Sequence, residues 1–241
     1  MGKYITVVTV VYNCEDYVSS CIQSVITQPN IDEIEYIIID GGSTDRTMEI
    51  INQYKESIDV IISESDEGIY DAMNKGLNLA KGEYICFLNA DDIYVSNALS
   101  YISEMLKKSP QIDVLSGLVD LVERDTLETI KTRKSSVNKL CLAMSLNHPA
   151  TIFKSDLHKK YYYEKTYKIA GDYDVLLRIK KDGYKICSID KVLVMMRDGG
   201  VSDEYETLGL KEAKLARLEH NTIIENIIAS IYYKYKGIKR S

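Results

Sequence analysis

Four short apolar runs, each closing on a polar turn and followed by residues at helical spacing, organise the chain as far as Lys108. Residues 5–11 read Ile-Thr-Val-Val-Thr-Val-Val, and after Tyr12-Asn13 come apolar positions at Val18, Cys21, Ile22, Val25 and Ile26. That spacing predicts strand, turn and helix, with Asn13 as the helix N-cap. Residues 36–39, then 58–62, repeat the unit, their helices marked by Met48, Ile51 and Tyr54 and by Tyr70, Met73 and Leu77. The fourth run, residues 84–88, stops at Asn89-Ala90-Asp91-Asp92, and residues 97–108 follow as an amphipathic helix ended by Pro110. Alternation of this kind forces a parallel sheet with right-handed crossovers. Runs without polar alternation belong to strands covered on both faces. All four polar turns then arrive at one sheet edge, where open α/β sheets bind their ligands.

Beyond Pro110 the rhythm changes. Residues 114–122 and 127–132, separated by Glu123-Arg124-Asp125-Thr126, predict an antiparallel hairpin. A helix is expected over 137–146, a strand over 150–153 and a helix over 172–181. From Glu204 a helical tail carries Ile227, Ile228, Ile231, Tyr232 and Tyr233, then Lys234, Lys236, Lys239 and Arg240. The expected division is one catalytic domain over 1–203, with a nucleotide-binding half at 1–94 and an acceptor-side half at 95–203, plus a tail over 204–241.

Bulk properties exclude several classes. A net charge of -6 argues against nucleic acid as a partner, since phosphate backbones demand a basic face. Five cysteines at Cys14, Cys21, Cys86, Cys141 and Cys187 lack metal-ligand spacing and fall mostly in apolar runs, as reduced core residues do. No stretch of roughly 20 apolar residues is available to span a bilayer. The start leads directly into a strand-like run, so no secretory leader is expected, and the chain reads as cytoplasmic.

Asp91 and Asp92 repel one another unless a cation lies between them, and Mg²⁺ or Mn²⁺ binds through one or two carboxylates completed by substrate phosphates. Asp40, backed by Gly41-Gly42, is suited to accept a hydrogen bond from a nucleobase or ribose hydroxyl. Neither a dinucleotide glycine fingerprint nor a Walker lysine is present.

Together the segments 9–13 (Thr-Val-Val-Tyr-Asn), 40–45 (Asp-Gly-Gly-Ser-Thr-Asp), 64–76 (Glu-Ser-Asp-Glu-Gly-Ile-Tyr-Asp-Ala-Met-Asn-Lys-Gly) and 87–92 (Phe-Leu-Asn-Ala-Asp-Asp) resemble the successive motifs of family-two glycosyltransferases. The likeness is to the bacterial surface-polysaccharide branch, dense over 5–94 and thinner to about 202. It implies a GT-A fold: a Rossmann-like, mostly parallel central sheet flanked by helices, a smaller antiparallel acceptor-side region and the helical tail. It further implies an inverting enzyme that moves a sugar from a nucleotide-diphosphate donor, a UDP-sugar favoured, to a saccharide or lipid-linked saccharide. Tyr12, Asn13, Asp40, Asp66, Asn74 and Asp91 would bind the donor, and Asp91 and Asp92 a Mn²⁺ or Mg²⁺ ion. Asn89 stands where many relatives have Asp.

The segment 170–178 (Ala-Gly-Asp-Tyr-Asp-Val-Leu-Leu-Arg) resembles the one bearing the family's general base, with Gly171 in place of the usual Glu. Asp172 is the expected base and Asp174 the second candidate. Tyr70, Asp71 and His148 are expected near the acceptor, and residues 199–202 (Gly-Gly-Val-Ser) resemble a loop that closes over the donor with Gly199 and Gly200 as hinge. The tail suits either an anionic membrane or packing on the domain or a second copy. Two other readings use the same sheet edge. A sugar nucleotidyltransferase would carry a basic, glycine-rich first turn, whereas Tyr12-Asn13-Cys14-Glu15 is acidic and glycine-free. A non-catalytic nucleotide-sugar-binding subunit would have no need of Asp91, Asp92 and Asp172.

Overall fold

The computed structural model describes residues 2–200 and 205–238. Strands β1 (Ile5–Val11), β2 (Ile34–Asp40), β3 (Val60–Ser63) and β4 (Tyr84–Asn89) alternate with helices α1 (Val18–Ile26), α2 (Thr47–Gln53) and α3 (Ile69–Leu79). β1 pairs in parallel with β2 on one side and β4 on the other, and β2 pairs in parallel with β3. Every residue of β1 and β2 is buried. Alternate side chains therefore feed two cores: Ile5, Val7, Tyr36 and Ile38 pack under α1, and Val8, Val10, Ile37 and Ile39 under α3.

The rest of the chain extends this sheet. After the short β5 (Ile93–Tyr94) and α4 (Ala98–Lys108) come β6 (Val114–Val122), β7 (Thr129–Arg133) and β8 (Thr151–Lys154). A short α5 (Ser155–His158) and α6 (Gly171–Lys181) precede β9 (Ile186–Arg197). The sheet order is β3-β2-β1-β4-β8-β6-β9-β5, with β7 on β6. β6 and β7 form the expected antiparallel hairpin, and β8 is antiparallel to both β4 and β6. The sequence reading assigns no element to β9, which runs parallel to β6 and brings Arg197 beside Val122.

Two local expectations are corrected. Residues 137–146 form only a 3₁₀ turn over Val137–Lys139, because the ends of the segment are tied together: the Ser136 N–H donates to the Ser145 carbonyl at 2.8 Å, a pairing that a continuous helix would hold far apart. The Ser145 hydroxyl donates to the Ser136 carbonyl, and the Asn147 amide to the carbonyls of Gly117 and Arg133. Asn13 does not cap α1, which begins at Val18 with no side-chain cap. Its carboxamide oxygen instead accepts from the Thr44 N–H at 2.8 Å, tying the turn after β1 to the turn after β2.

The tail forms α7 (Glu206–His220) and α8 (Ile223–Ile238), and α7 packs on α6. Buried Glu212 of α7 accepts from the backbone N–H groups of Lys168, Ile169 and Ala170 at 2.9–3.2 Å. Glu204, Lys239 and Arg240 lie outside the described residues, as does the expected boundary at 203–204. All five cysteines are free thiols. Among the described residues no helix is long and apolar enough to cross a membrane.

Candidate functional site

The carboxyl ends of β1 and β4 open into a cavity of about 1420 Å³, whose walls also include β7, the turn before β8, the start of α6 and part of the tail. It gathers Tyr12, Asn13, Asp66, Asp91, Asp92 and Asp172 from four separate stretches of chain. Tyr70, His148, Gly199 and Gly200 line it as well. Val201 and Ser202, the rest of the expected closing loop, lie outside the described residues.

Four of the expected residues do not line this cavity. Asp40 is fully buried, and its carboxylate accepts from the N–H groups of Gly42 and Ser43 and from the hydroxyls of Ser43 and Ser63. Its acceptor capacity is therefore spent on shaping the turn after β2 and tying it to β3. Asp66, by contrast, faces the cavity, and it lies so close to Gly41 that a Cβ there would meet its Oδ2 at 2.5 Å. Asn74 clamps the backbone of Tyr163, donating to its carbonyl at 2.9 Å and accepting from its N–H at 3.0 Å. Asp174 is buried and paired with Arg178 at 2.8 Å and His220 at 2.7 Å. Two residues along a helix turns a side chain through most of half a circle, so Asp172 and Asp174 cannot face the same space. Asp71 lines a second, smaller cavity, where it pairs with Lys165 at 3.2 Å.

The acidic turn after β4 has the character of a half-built cation site. Asp92 is almost wholly buried, and burial together with the neighbouring Asp91 raises its carboxyl well above the usual range. The Asn89 amide donates to Asp92 at 3.2 Å, while the buried Asn89 Oδ1 has no hydrogen-bond partner. Two adjacent acids beside an unsatisfied oxygen suit a hard, oxygen-loving cation. Among the described residues no group of three or more His, Cys, Asp or Glu could enclose a metal alone. A cation there would draw its other ligands from substrate or water.

Two arginines that the sequence reading does not assign to the site face this turn. Arg124, in the β6–β7 turn, approaches Asp91 at 3.6 Å and donates to the carbonyls of Asp198 and Gly199. Arg197, at the end of β9, donates to the Asp91 carbonyl, to the Arg124 carbonyl and to the Ser20 hydroxyl. The Tyr17 ring lies between them, 5.0 Å from one guanidinium and 4.8 Å from the other. No sequence signal ties these positions together, because β9 is needed to bring Arg197 back to the β4 turn.

Asp172 opens α6, and burial raises its carboxyl from 3.8 to about 6. It accepts from the Tyr173 N–H at 2.7 Å, leaving oxygen lone pairs toward the cavity. Tyr70 fixes the backbone just before it, donating to the Ile169 carbonyl at 2.7 Å and accepting from the Gly171 N–H at 2.9 Å. A Cβ on Gly171 would meet the Tyr70 ring at 2.8 Å, so the Tyr70 ring stands where a side chain at 171 would begin. His148 bonds the Tyr163 hydroxyl at 2.9 Å and stacks on Phe87, and burial beside His158 lowers its pKa to about 3. It is a neutral wall of the cavity at physiological pH.

The family model for "Glycosyl transferase family 2" matches residues 6–171, well over half of the chain. This protein belongs to glycosyltransferase family 2. The PGL/p-HBAD biosynthesis glycosyltransferase of Mycobacterium tuberculosis is 28% identical over 164 residues, covering 66% of this chain and 62% of the relative. The poly(ribitol-phosphate) beta-glucosyltransferase of Bacillus spizizenii is 29% identical over 208 residues, covering 74% of this chain but only 33% of the relative. The chain thus spans less than two thirds of the length of these relatives. Among solved structures, S. aureus TarS 1-349 in complex with UDP superposes with a TM-score of 0.69 at 18% identity, covering 91% of this chain and 67% of that one. The mannosyltransferase PcManGT from Pyrobaculum calidifontis, in complex with GDP-Man and Mn²⁺, gives 0.64 at 18% identity, covering 96% and 65%. At that identity the likeness concerns the fold, which is GT-A as expected.

Proposed function

We propose that this family member is an inverting glycosyltransferase of cell-surface polysaccharide biosynthesis, taking a UDP-sugar as donor and a saccharide or lipid-linked saccharide as acceptor. The observation that carries the reading is the presence, in one cavity, of a buried acid turn at Asp91–Asp92 and a separate carboxylate, Asp172, raised to about 6. One acid site suits the leaving diphosphate and the other the incoming hydroxyl. The named relatives supply the substrate classes: one is a glucosyltransferase acting on poly(ribitol-phosphate), and TarS is described with UDP and UDP-GlcNAc.

In this reading exposed Tyr12 offers a ring face to the nucleobase, and Asp66 an acceptor to its N–H or to a ribose hydroxyl. Asp40 acts indirectly, by holding the turn against which Asp66 lies. Asp91 and Asp92 would hold Mn²⁺ or Mg²⁺, which when bound neutralises diphosphate charge. Arg124 and Arg197 add two fixed guanidiniums at the same turn, aimed at charge that grows on the leaving group. The acceptor oxygen attacks the anomeric carbon as the bond to the diphosphate breaks. Its proton passes to Asp172, and the product has inverted configuration.

The exposed Ile223, Ile224, Ile227, Ile228 and Ile231 of α8, followed in sequence by Lys234, Lys236, Lys239 and Arg240, suit an anionic lipid surface. The reaction would then run at the inner face of the cell membrane, beside lipid-linked acceptors. A ligand that binds only the folded state raises apparent stability. Thermal unfolding with UDP, GDP, ADP and CDP, with and without Mn²⁺, should show the largest rise for UDP plus Mn²⁺. If no nucleotide raises the midpoint, the donor reading is wrong.

A further inference from the structure

The second cavity, of about 310 Å³, is lined in part by Lys168 and Ile169, in the segment that leads to Asp172. It shares Gly68, Ile69, Tyr70, Lys168 and Ile169 with the larger cavity, so the two adjoin. Its apolar walls are Ile69, Tyr167, Tyr205 and Leu208. Ile69 and Tyr205 remain 41% and 49% exposed, which is unusual for large apolar groups gathered in one concavity. Its polar edge is Glu67 and Asp71, both held by Lys165 at 2.6 and 3.2 Å, with Lys75 also 3.5 Å from Asp71.

We propose that this second cavity binds a further sugar unit of a saccharide acceptor, so that the enzyme favours acceptors of at least two sugars over a single one. The proposal rests on the glycosyltransferase reading above and specifies its acceptor. A pyranose ring has apolar C–H faces and a rim of hydroxyls, and this cavity offers two tyrosine rings for the faces and two carboxylates for the rim. Lys165 fixes the carboxylates before binding, so little side-chain entropy is lost when the hydroxyls arrive. The volume is at the small end of ligand sites, enough for one ring rather than a chain. The shared wall beside Ile169 connects it to Asp172, three residues along, where the reacting hydroxyl of the neighbouring sugar would sit.

The test uses methyl-labelled full-length protein. Leu208 borders only the smaller cavity, whereas Met196 borders only the larger one, near Arg197. The probes are methyl glycosides of glucose, galactose, mannose and N-acetylglucosamine, the disaccharides built from each, and UDP with Mn²⁺. The expected result is that at least one disaccharide shifts the Leu208 methyl signals while its monosaccharide does not. Tyr205→Ala, an exposed change that spares the core, should weaken that response roughly five- to tenfold. In turnover the same variant should raise KM for the disaccharide by a similar factor, leaving kcat and single-sugar acceptors unchanged. A silent Leu208, or a disaccharide response unaffected by Tyr205→Ala, overturns the proposal. Met196 reports the donor separately: if it responds to UDP and Mn²⁺ while Leu208 stays silent, only the second subsite fails. Silence at both removes the donor reading as well.

Discussion

Asp172 is useful as a base only while it is ionised, and burial has moved its ionisation to about 6. Activity should therefore fall as pH drops through about 6, with kcat/KM losing roughly tenfold per unit below that point. His148 and His158 are depressed to about 3 and about 4 by burial, so neither adds a limb between pH 5 and 8. A pH profile of kcat/KM checks this, and an acid limb near the ordinary carboxylate value would point away from Asp172. Arg124 gives a second prediction at this scale. Its guanidinium lies 3.6 Å from Asp91, and Arg124→Ala should weaken binding of UDP with Mn²⁺ by roughly tenfold or more, measured by calorimetry. Unchanged affinity would mean that this arginine serves only the loop carbonyls of Asp198 and Gly199.

Individual elements depend on close approaches that the sequence conceals. The start of α6 lies against the Tyr70 ring, so Gly171→Ala should destabilise the fold by about 1–3 kcal/mol and lower activity by displacing Asp172. Denaturant unfolding alongside a rate assay checks both effects. α7 matters for the same segment. Glu212→Ala leaves three backbone N–H groups without their acceptor at a cost of about 3 kcal/mol, which lowers the thermal midpoint by about 6–12 °C. The first four strands and their helices were legible because each signal was local: an apolar run, a polar turn, a 3.6-residue period. The helix expected over 137–146 failed because Ser136 and Ser145 bond to one another across the segment, a closure that periodicity does not register. Asp40 and Asn74 were legible as positions but not as contacts. Each faces a neighbouring segment, Ser63 in one case and Tyr163 in the other, rather than the cavity. Arg197 was illegible because it lies 105 residues beyond Asp92 and reaches the acid turn only through β9.

For the molecule as a whole, the tail is joined to the site it follows. Glu212 supports the segment before Asp172, while Gly209, Ala213 and Tyr233 line the larger cavity. The isoleucine row of α8 is left on the surface, and sedimentation with vesicles containing anionic phospholipid should carry the protein down, less so after Ile227→Ser with Ile231→Ser. Retention in solution together with a concentration-dependent dimer would assign that row to a second copy instead. The division of labour between Asp172 and the Asp91–Asp92 turn is tested most directly by Asp172→Asn. The variant keeps an oxygen for the Tyr173 N–H. It also removes an acid whose raised pKa favours the fold below about 4 and loses that contribution as pH rises through about 6, so at pH 8 it should melt no lower than the parent. Sugar transfer and UDP binding should be measured side by side on that variant, in the presence of Mn²⁺. Transfer is expected to fall by about 10²- to 10⁴-fold with UDP affinity nearly unchanged; transfer at the parent rate would show that the acceptor proton goes elsewhere.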